Sequence, residues 1–261
     1  MITTGTFLEL AYQVHYRDPM RVVPPQGFAC ERVANSKAYF GSGEGNRNGF
    51  KAALYRNSAL GAKVLAIAGT EGTAGNDITA DLRIPLHTMP RQASSAWKFY
   101  ESVVQAQDEW VFIVGHSLGG ALAQVLGYWC NRPFVTFNAP GMASVIGAAQ
   151  WNLLKPEVLK RTWESKKFRS SNGEARGINF RVARDVVGKF GKHVGAVIVL
   201  KSEPAFFLRH DLDSLERVLR GEMCNGTQSL YDVDPFLLNE AHLKNRGSGG
   251  HPHPGRPTLT R

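Results

Sequence analysis

Apolar residues along this chain gather in short runs separated by stretches with helical spacing. Residues 64–68, 110–114, 134–137 and 196–200 are four or five residues each and almost wholly apolar. Runs of that length bounded by turn residues predict strands buried on both faces, as in a parallel sheet covered by helices. Residues 120–126 combine small and apolar side chains and predict a closely packed helix. Residues 178–183 are of mixed polarity and predict a further strand nearer an edge of the sheet. At the N-terminus, 7–16 reads as a helix. The runs 31–40 and 49–57 flank Gly41-Ser42-Gly43-Glu44-Gly45-Asn46 and read as an antiparallel hairpin. That glycine-rich turn has no following Lys-Ser/Thr and no helix of its own, which sets it apart from a phosphate-binding loop. The expected class is α/β, with a mostly parallel central sheet flanked by helices and an N-terminal antiparallel hairpin.

Composition narrows this picture. The chain has 261 residues, 43% of them hydrophobic and 20% charged, enough apolar surface for one large core and too much for global disorder. A single domain over 1–244 is expected. Residues 245–261, rich in Gly, Pro and His, read as a disordered tail. No apolar run approaches the ~18 residues of a membrane-spanning helix. The first residues lack the basic cluster and apolar core of a cleaved leader, so the chain is expected to be cytoplasmic or exported without a cleavable signal peptide. Cys30, Cys130 and Cys224 are too few and scattered for a disulfide framework and read as reduced packing residues. His251 and His253 flank a proline with no third ligand nearby, so neither a metal nor an organic cofactor is expected. Lys and Arg outnumber Asp and Glu by 31 to 22, a formal charge of +9. That excess favours anionic partners such as a lipid surface, and with no recognised motif beside it, nucleic-acid binding is not expected.

The chemistry centres on Gly115-His116-Ser117-Leu118-Gly119, which joins the run 110–114 to the helix 120–126 without a gap. The pattern G-x-S-x-G recurs by chance in roughly one chain in ten of this length, so its setting between strand and helix decides. A nucleophile elbow reverses the chain sharply, needs small residues on both flanks, and lifts the serine hydroxyl above the sheet. Ser117 is therefore the candidate nucleophile, and the Leu118 N–H at the start of the helix a candidate oxyanion donor. A serine hydroxyl needs an imidazole to take its proton and a carboxylate to orient that ring. In the hydrolase order of Ser, acid, His, the choice of base falls among His193, His210 and His242. His210 follows the strand 196–200 and a loop, and precedes a helix start marked by Asp213 and Glu216, so it fits best. Asp185, at the end of the strand 178–183, is the best-placed acid. Gly69-Thr70 closes the run 64–68, and the Thr70 N–H is the second candidate oxyanion donor.

From these residues the chain resembles the class 3, fungal-type lipases of the α/β-hydrolase superfamily, from about the first hairpin to the helix after His210. Residues 64–70 resemble that family's oxyanion strand, Asp77-Ile78-Thr79-Ala80-Asp81-Leu82 its following D-x-x-x-D stretch, and residues 115–120 its nucleophile motif. Residues 180–187 are similar to its acid-bearing strand end, His193-Val194-Gly195 to its H-x-G turn, and His210 to its terminal base. The resemblance implies a Ser117–Asp185–His210 triad with Thr70 and Leu118 as the oxyanion hole. Ala68 stands where many members carry Arg, the family's His-x-Gly-Phe motif is missing, and the acid motif lacks its usual Asn; these departures bear on lid and substrate shape.

The expected function is a serine carboxylic-ester hydrolase acting on lipids, of triacylglycerol lipase or phospholipase A type, working through an acyl-enzyme without a cofactor. A short-chain esterase or thioesterase, and a non-catalytic interaction protein on the same fold, are the alternatives. Residues 78–96 read either as a flap over the acyl site or as an ordinary crossover. Residues 160–169 interleave basic and aromatic side chains, and read as a solvated charged face or a contact with anionic lipid headgroups.

Overall fold

The computed structural model describes residues 1–15, 19–25, 27–35, 49–69, 88–105, 108, 110–149, 156–174, 176–201, 212–224 and 228–238. Among them, seven strands form one sheet in strict sequence order: β1 (Ala29–Asn35), β2 (Lys51–Asn57), β3 (Ala62–Ile67), β4 (Trp110–His116), β5 (Phe134–Phe137), β6 (Gly177–Val182) and β7 (Ala196–Leu200). β1, β2 and β3 pair antiparallel and β3 to β7 parallel. The hairpin and the parallel runs thus stand where the hydrophobic pattern predicts them, while the turn at 41–46 lies outside the described residues.

Strand order explains the layering. Right-handed crossovers between parallel strands that step always in one direction put every connecting helix on the same face of the sheet. Those helices are α2 (Ala93–Val103), α3 (Leu118–Cys130), α4 (Ala143–Ala149) and α5 (Pro156–Asn172). They pack on Leu54, Leu65, Ile67 and Ile113. The alternate residues of the same strands, Tyr55, Val64, Ala66 and Val114, face the other way, as the two-residue repeat of a strand demands. That second face is covered from the two ends of the chain, by α1 (Thr4–Gln13) and by α6 (Leu212–Gly221) with the segment at 228–238. The start of α1 is tied down by Thr4 N–H and Gly5 N–H, which donate to the carbonyls of Val233 and Tyr231, both at 2.8 Å. These are two of the N–H groups a helix start leaves without internal partners. The result is a three-layer α/β-hydrolase fold.

Two boundaries differ from the sequence expectation for physical reasons. α1 begins at Thr4, three residues before the apolar spacing suggests, because the Thr3 hydroxyl accepts the Thr6 N–H at 3.2 Å and caps the helix. β6 is an inner strand and β7 the edge. One polar residue of that strand, Asn179, is 1% exposed. Its Oδ1 accepts the Thr136 hydroxyl at 2.7 Å, and its Nδ2 donates to the carbonyls of Val194 (2.8 Å) and Ala196 (2.9 Å). A buried amide so fully matched keeps its place without facing water.

Residues 93–96 of the flap candidate form the first turn of α2, with Ala93 and Ala96 in the core; residues 78–87 lie outside the described residues, as does the proposed tail at 245–261. Cys30, Cys130 and Cys224 are free thiols. Among the described residues no helix is long and apolar enough to cross a membrane.

Candidate active site

β4 runs two residues further than its apolar core, through Gly115 and His116, and α3 starts at Leu118. The single residue between them is Ser117, at φ 55° and ψ −127°. Positive φ in a residue with a Cβ is strained by about 1–3 kcal/mol and persists where the surroundings impose it. Here the surroundings are backbone. Ser117 N–H donates to the Phe137 carbonyl at 3.1 Å, and its own carbonyl accepts the Ala121 N–H at 3.1 Å. A Cβ on Gly115 would stand 2.3 Å from the Gly119 carbonyl, one on Gly119 would stand 2.1 Å from the Ile67 carbonyl oxygen, and one on Gly120 would stand 2.4 Å from the Ala139 side chain. The three glycines let α3 descend onto the ends of β3 and β5, and that descent forces the bend at Ser117.

The end of β3 comes close to the serine. A Cβ on Gly69 would lie 3.3 Å from the Ser117 Cβ and 3.0 Å from the His116 carbonyl oxygen. The chain therefore leaves β3 beside the serine, towards Thr70, which lies outside the described residues. Leu118 is buried at the first position of α3, where backbone N–H groups lack helical partners and the helix dipole favours negative charge.

Asp185 stands three residues beyond β6, two strands from the serine, about 10 Å across the sheet at ~4.8 Å per strand. Its Oδ1 accepts the Gly188 N–H at 2.5 Å, which fixes the carboxylate inside its own turn. Arg181 lies against the same turn, its Cγ 2.7 Å from where a Cβ on Gly188 would sit. Burial pulls the Arg181 guanidinium below its usual pKa, and the charge of Asp185 acts in the opposite sense.

Between serine and acid lies a residue that sequence reasoning missed. Asn138, directly after β5, is 1% exposed and adopts φ 44°. Its N–H donates to the Phe180 carbonyl (2.8 Å) and its Oδ1 accepts the Val182 N–H (2.9 Å), so one side chain carries the β5–β6 ladder past its last pair. The acid-bearing turn is anchored there. Asn tolerates the left-handed region better than most residues, and an Asn closing an apolar run ahead of Ala-Pro-Gly was the available signal. Gln124 of α3 does similar work below the elbow. Its Nε2 donates to the Pro140 carbonyl (2.7 Å), and its Oε1 accepts the N–H groups of Met142 (3.2 Å) and Val194 (3.1 Å).

Comparison with known proteins identifies the group. The model of the Tle-like phospholipase domain, a phospholipase-like family, matches residues 11–151, more than half of the chain and inclusive of the whole elbow. The chain belongs to the Tle-like phospholipase family. It is thereby a carboxylic ester hydrolase of the lipase and phospholipase kind. Among solved structures it is similar to the lipase from Rhizopus microsporus var. chinensis, at 15% identity over 77% of this chain and 74% of that one, with a TM-score of 0.47. It is also similar to the Lip2 lipase from Yarrowia lipolytica, at 16% identity over 75% and 77%, TM-score 0.46, and to lipase II from Rhizopus niveus, at 16% over 67% and 68%, TM-score 0.40. All three are lipases. Among curated proteins none matches the sequence.

In this Tle-like phospholipase the described residues bring Ser117, Leu118, Gly69 and Asp185 to the carboxyl edge of the sheet, while His210 and Thr70 fall outside them. Of the other histidines weighed as a base, His242 also falls outside. His193, which precedes β7, packs on the loop that follows β5. Its Nε2 donates to the Ala139 carbonyl at 2.8 Å. Burial holds its pKa below the ordinary imidazole value; the bond to Ala139 acts the other way, and the nearby Arg181 charge adds to the depression. A depressed folded pKa contributes stability above the unfolded value of about 6.5, which is lost as pH falls through the folded pKa. Melting temperature should therefore drop on acidification below about pH 6.5, and His193→Gln should remove part of that drop. Identical pH profiles for the two proteins would rule this out.

Proposed function

We propose that this chain hydrolyses acyl esters of phospholipids through Ser117, His210 and Asp185. The Ser117 hydroxyl oxygen attacks the acyl carbonyl while His210 takes its proton, and Asp185 holds and charge-balances the imidazolium. The oxyanion that forms is met by the Leu118 and Thr70 N–H groups. Collapse breaks the ester bond, and His210 returns the proton to the departing lysophospholipid alcohol. Water, deprotonated by His210, then releases the fatty acid and restores Ser117. The observation that carries this reading is the bend at Ser117, a positive-φ serine imposed by backbone contacts beside the end of β3.

A membrane surface as the substrate phase is supported by α5. Lys160, Trp163 and Lys167 lie on its outer side, with Trp163 58% exposed and the Lys167 ammonium 5.9 Å from the centre of the Trp163 ring. Two other bases of that helix serve packing instead. Arg161 stacks over Trp97 at 4.8 Å, and the buried Arg169 pairs with Glu174 at 3.0 Å and covers Tyr128 at 4.1 Å.

Incubation with phospholipid vesicles, followed by mass spectrometry of the products, tests the reaction class. Free fatty acid with lysophospholipid is expected. Diacylglycerol, phosphatidic acid, or intact lipid after long incubation would contradict it.

A further inference from the structure

The ladders of β3 stop short of the place where an oxyanion hole needs the strand. Its last paired residue is Ile67, opposite Ala52 of β2 and Gly115 of β4. One further bond, from the Ala68 N–H to the Lys51 carbonyl at 3.0 Å, carries the strand a residue on. Gly69 comes next, and the side of it that bears no side chain is walled by three groups. A Cβ there would lie 3.0 Å from the His116 carbonyl oxygen, 3.3 Å from the Ser117 Cβ and 3.7 Å from Cε1 of His15. Two of these walls belong to the elbow. The third comes from the chain just past α1.

His15 is held at both of its backbone groups. Its N–H donates to the Tyr12 carbonyl at 3.1 Å, and its carbonyl accepts the Lys51 ammonium at 2.9 Å. A cation that donates to a carbonyl near a helix C-terminus makes a charge-assisted hydrogen bond where the helix dipole also favours it. Lys51 therefore grips two segments at once, Ala68 through its main-chain carbonyl and His15 through its side chain. The half-buried His15 ring stands edge-on to that of the buried His116, with centroids 6.3 Å apart and planes at 69°, a geometry that ring pairs favour. So held, the ring is a fixed wall for Gly69.

That wall matters because the three strands around the serine are tied to it differently. β4 reaches Ser117 through covalent bonds, and β5 holds the Ser117 N–H through the Phe137 carbonyl. β3 meets the serine by contact at Gly69, and contact keeps a separation while both sides are backed. An oxyanion donor works within about 0.5 Å of its productive place, and a misplacement of about 1 Å costs on the order of a hundredfold in rate.

We propose that His15, gripped by Lys51, is a positioning residue that backs the end of β3 against the nucleophile elbow. Its service to catalysis rests on the function proposed above; its hold on the strand end does not. Two measurements on the whole chain test it. In His15→Ala, amide hydrogen exchange at Ala68 should rise roughly tenfold while the interior of β3 is unchanged. On phospholipid vesicles the same variant should lose about tenfold to a hundredfold in kcat, with KM moving by less than about twofold. His15→Phe, which restores a ring, should recover most of both losses, whereas phenyl could not replace a ring that carried protons. Lys51→Met keeps the stem and the main-chain carbonyl, and should shift exchange and kcat in the same direction, giving the answer should His15→Ala fail to fold. Added to His15→Ala it should change nothing further, as expected of two residues that act through one contact. Unchanged exchange at Ala68 in His15→Ala or Lys51→Met would overturn the proposal. So would a loss confined to KM, a His15→Phe no better than His15→Ala, or additive losses in the double variant. A wild-type protein that cleaves no ester would overturn the proposed function instead, and the exchange measurement would still decide whether His15 holds the strand.

Discussion

Ser117→Gly should abolish phospholipid hydrolysis while leaving the fold as stable as before or more so. Loss of the hydroxyl removes the nucleophile, an effect on the order of 10⁴-fold or more in turnover. The stability term has the opposite sign. Ser117 sits at φ 55°, where a Cβ costs about 1–3 kcal/mol and glycine is at ease. The substitution gives back about 0.5–1 kcal/mol through the greater freedom of glycine in the unfolded chain, so the melting temperature should hold or rise by a few degrees. A serine that merely decorated a structural turn would show the second effect without the first. Steady-state hydrolysis of vesicles and calorimetry on the same preparation separate the two.

Gly119→Ala should have the reverse character, with the fold itself giving way. The added methyl would stand 2.1 Å from the Ile67 carbonyl oxygen and 2.7 Å from the Ala68 carbonyl carbon. Both are backbone atoms at the end of an inner strand, so no side chain can turn aside to make room. Overpacking against movable neighbours costs about 1–3 kcal/mol. Against a fixed strand the cost should reach about 4 kcal/mol or more, in the range reserved for core disruption, with a fall of roughly 10 °C in melting temperature for a domain of this size. Gly147→Ala in α4 is the matched control. Nothing lies within 4 Å of its added Cβ, and a helix gains about 0.5–1 kcal/mol from the exchange. Equal melting temperatures for the two variants would show that α3 does not rest on β3 as described.

The parts of this molecule that depend on near neighbours in sequence were legible from it. The elbow is a five-residue pattern between an apolar run and a helix of small residues, and each glycine has a backbone atom to explain it. The buried strands announced themselves as unbroken apolar runs because both of their faces are covered. What failed depended on partners far along the chain. The strand 178–183 looked nearer an edge because the partners that match its polar Asn179, among them Thr136 and Val194, lie 43 and 15 residues away. His193 gave no sign of its contact with Ala139, 54 residues away. Asn138 carried only the faint mark of an Asn closing a strand, and its bridge to Val182 is a tertiary fact. For the candidate site, the sequence suggested all five residues by motif and order; Ser117, Leu118 and Asp185 stand at the carboxyl edge of the sheet, Thr70 and His210 lie outside the described residues, and the roles of all five are proposals.

The central claim is that Ser117 is a nucleophile activated by its surroundings. A fluorophosphonate probe, which modifies serine only when a neighbouring base and an oxyanion hole assist it, followed by peptide mapping, tests this most directly. A single adduct on Ser117 in the folded protein, absent from Ser117→Gly, is the predicted result. A folded protein that stays unmodified, or an adduct on another residue, would contradict it.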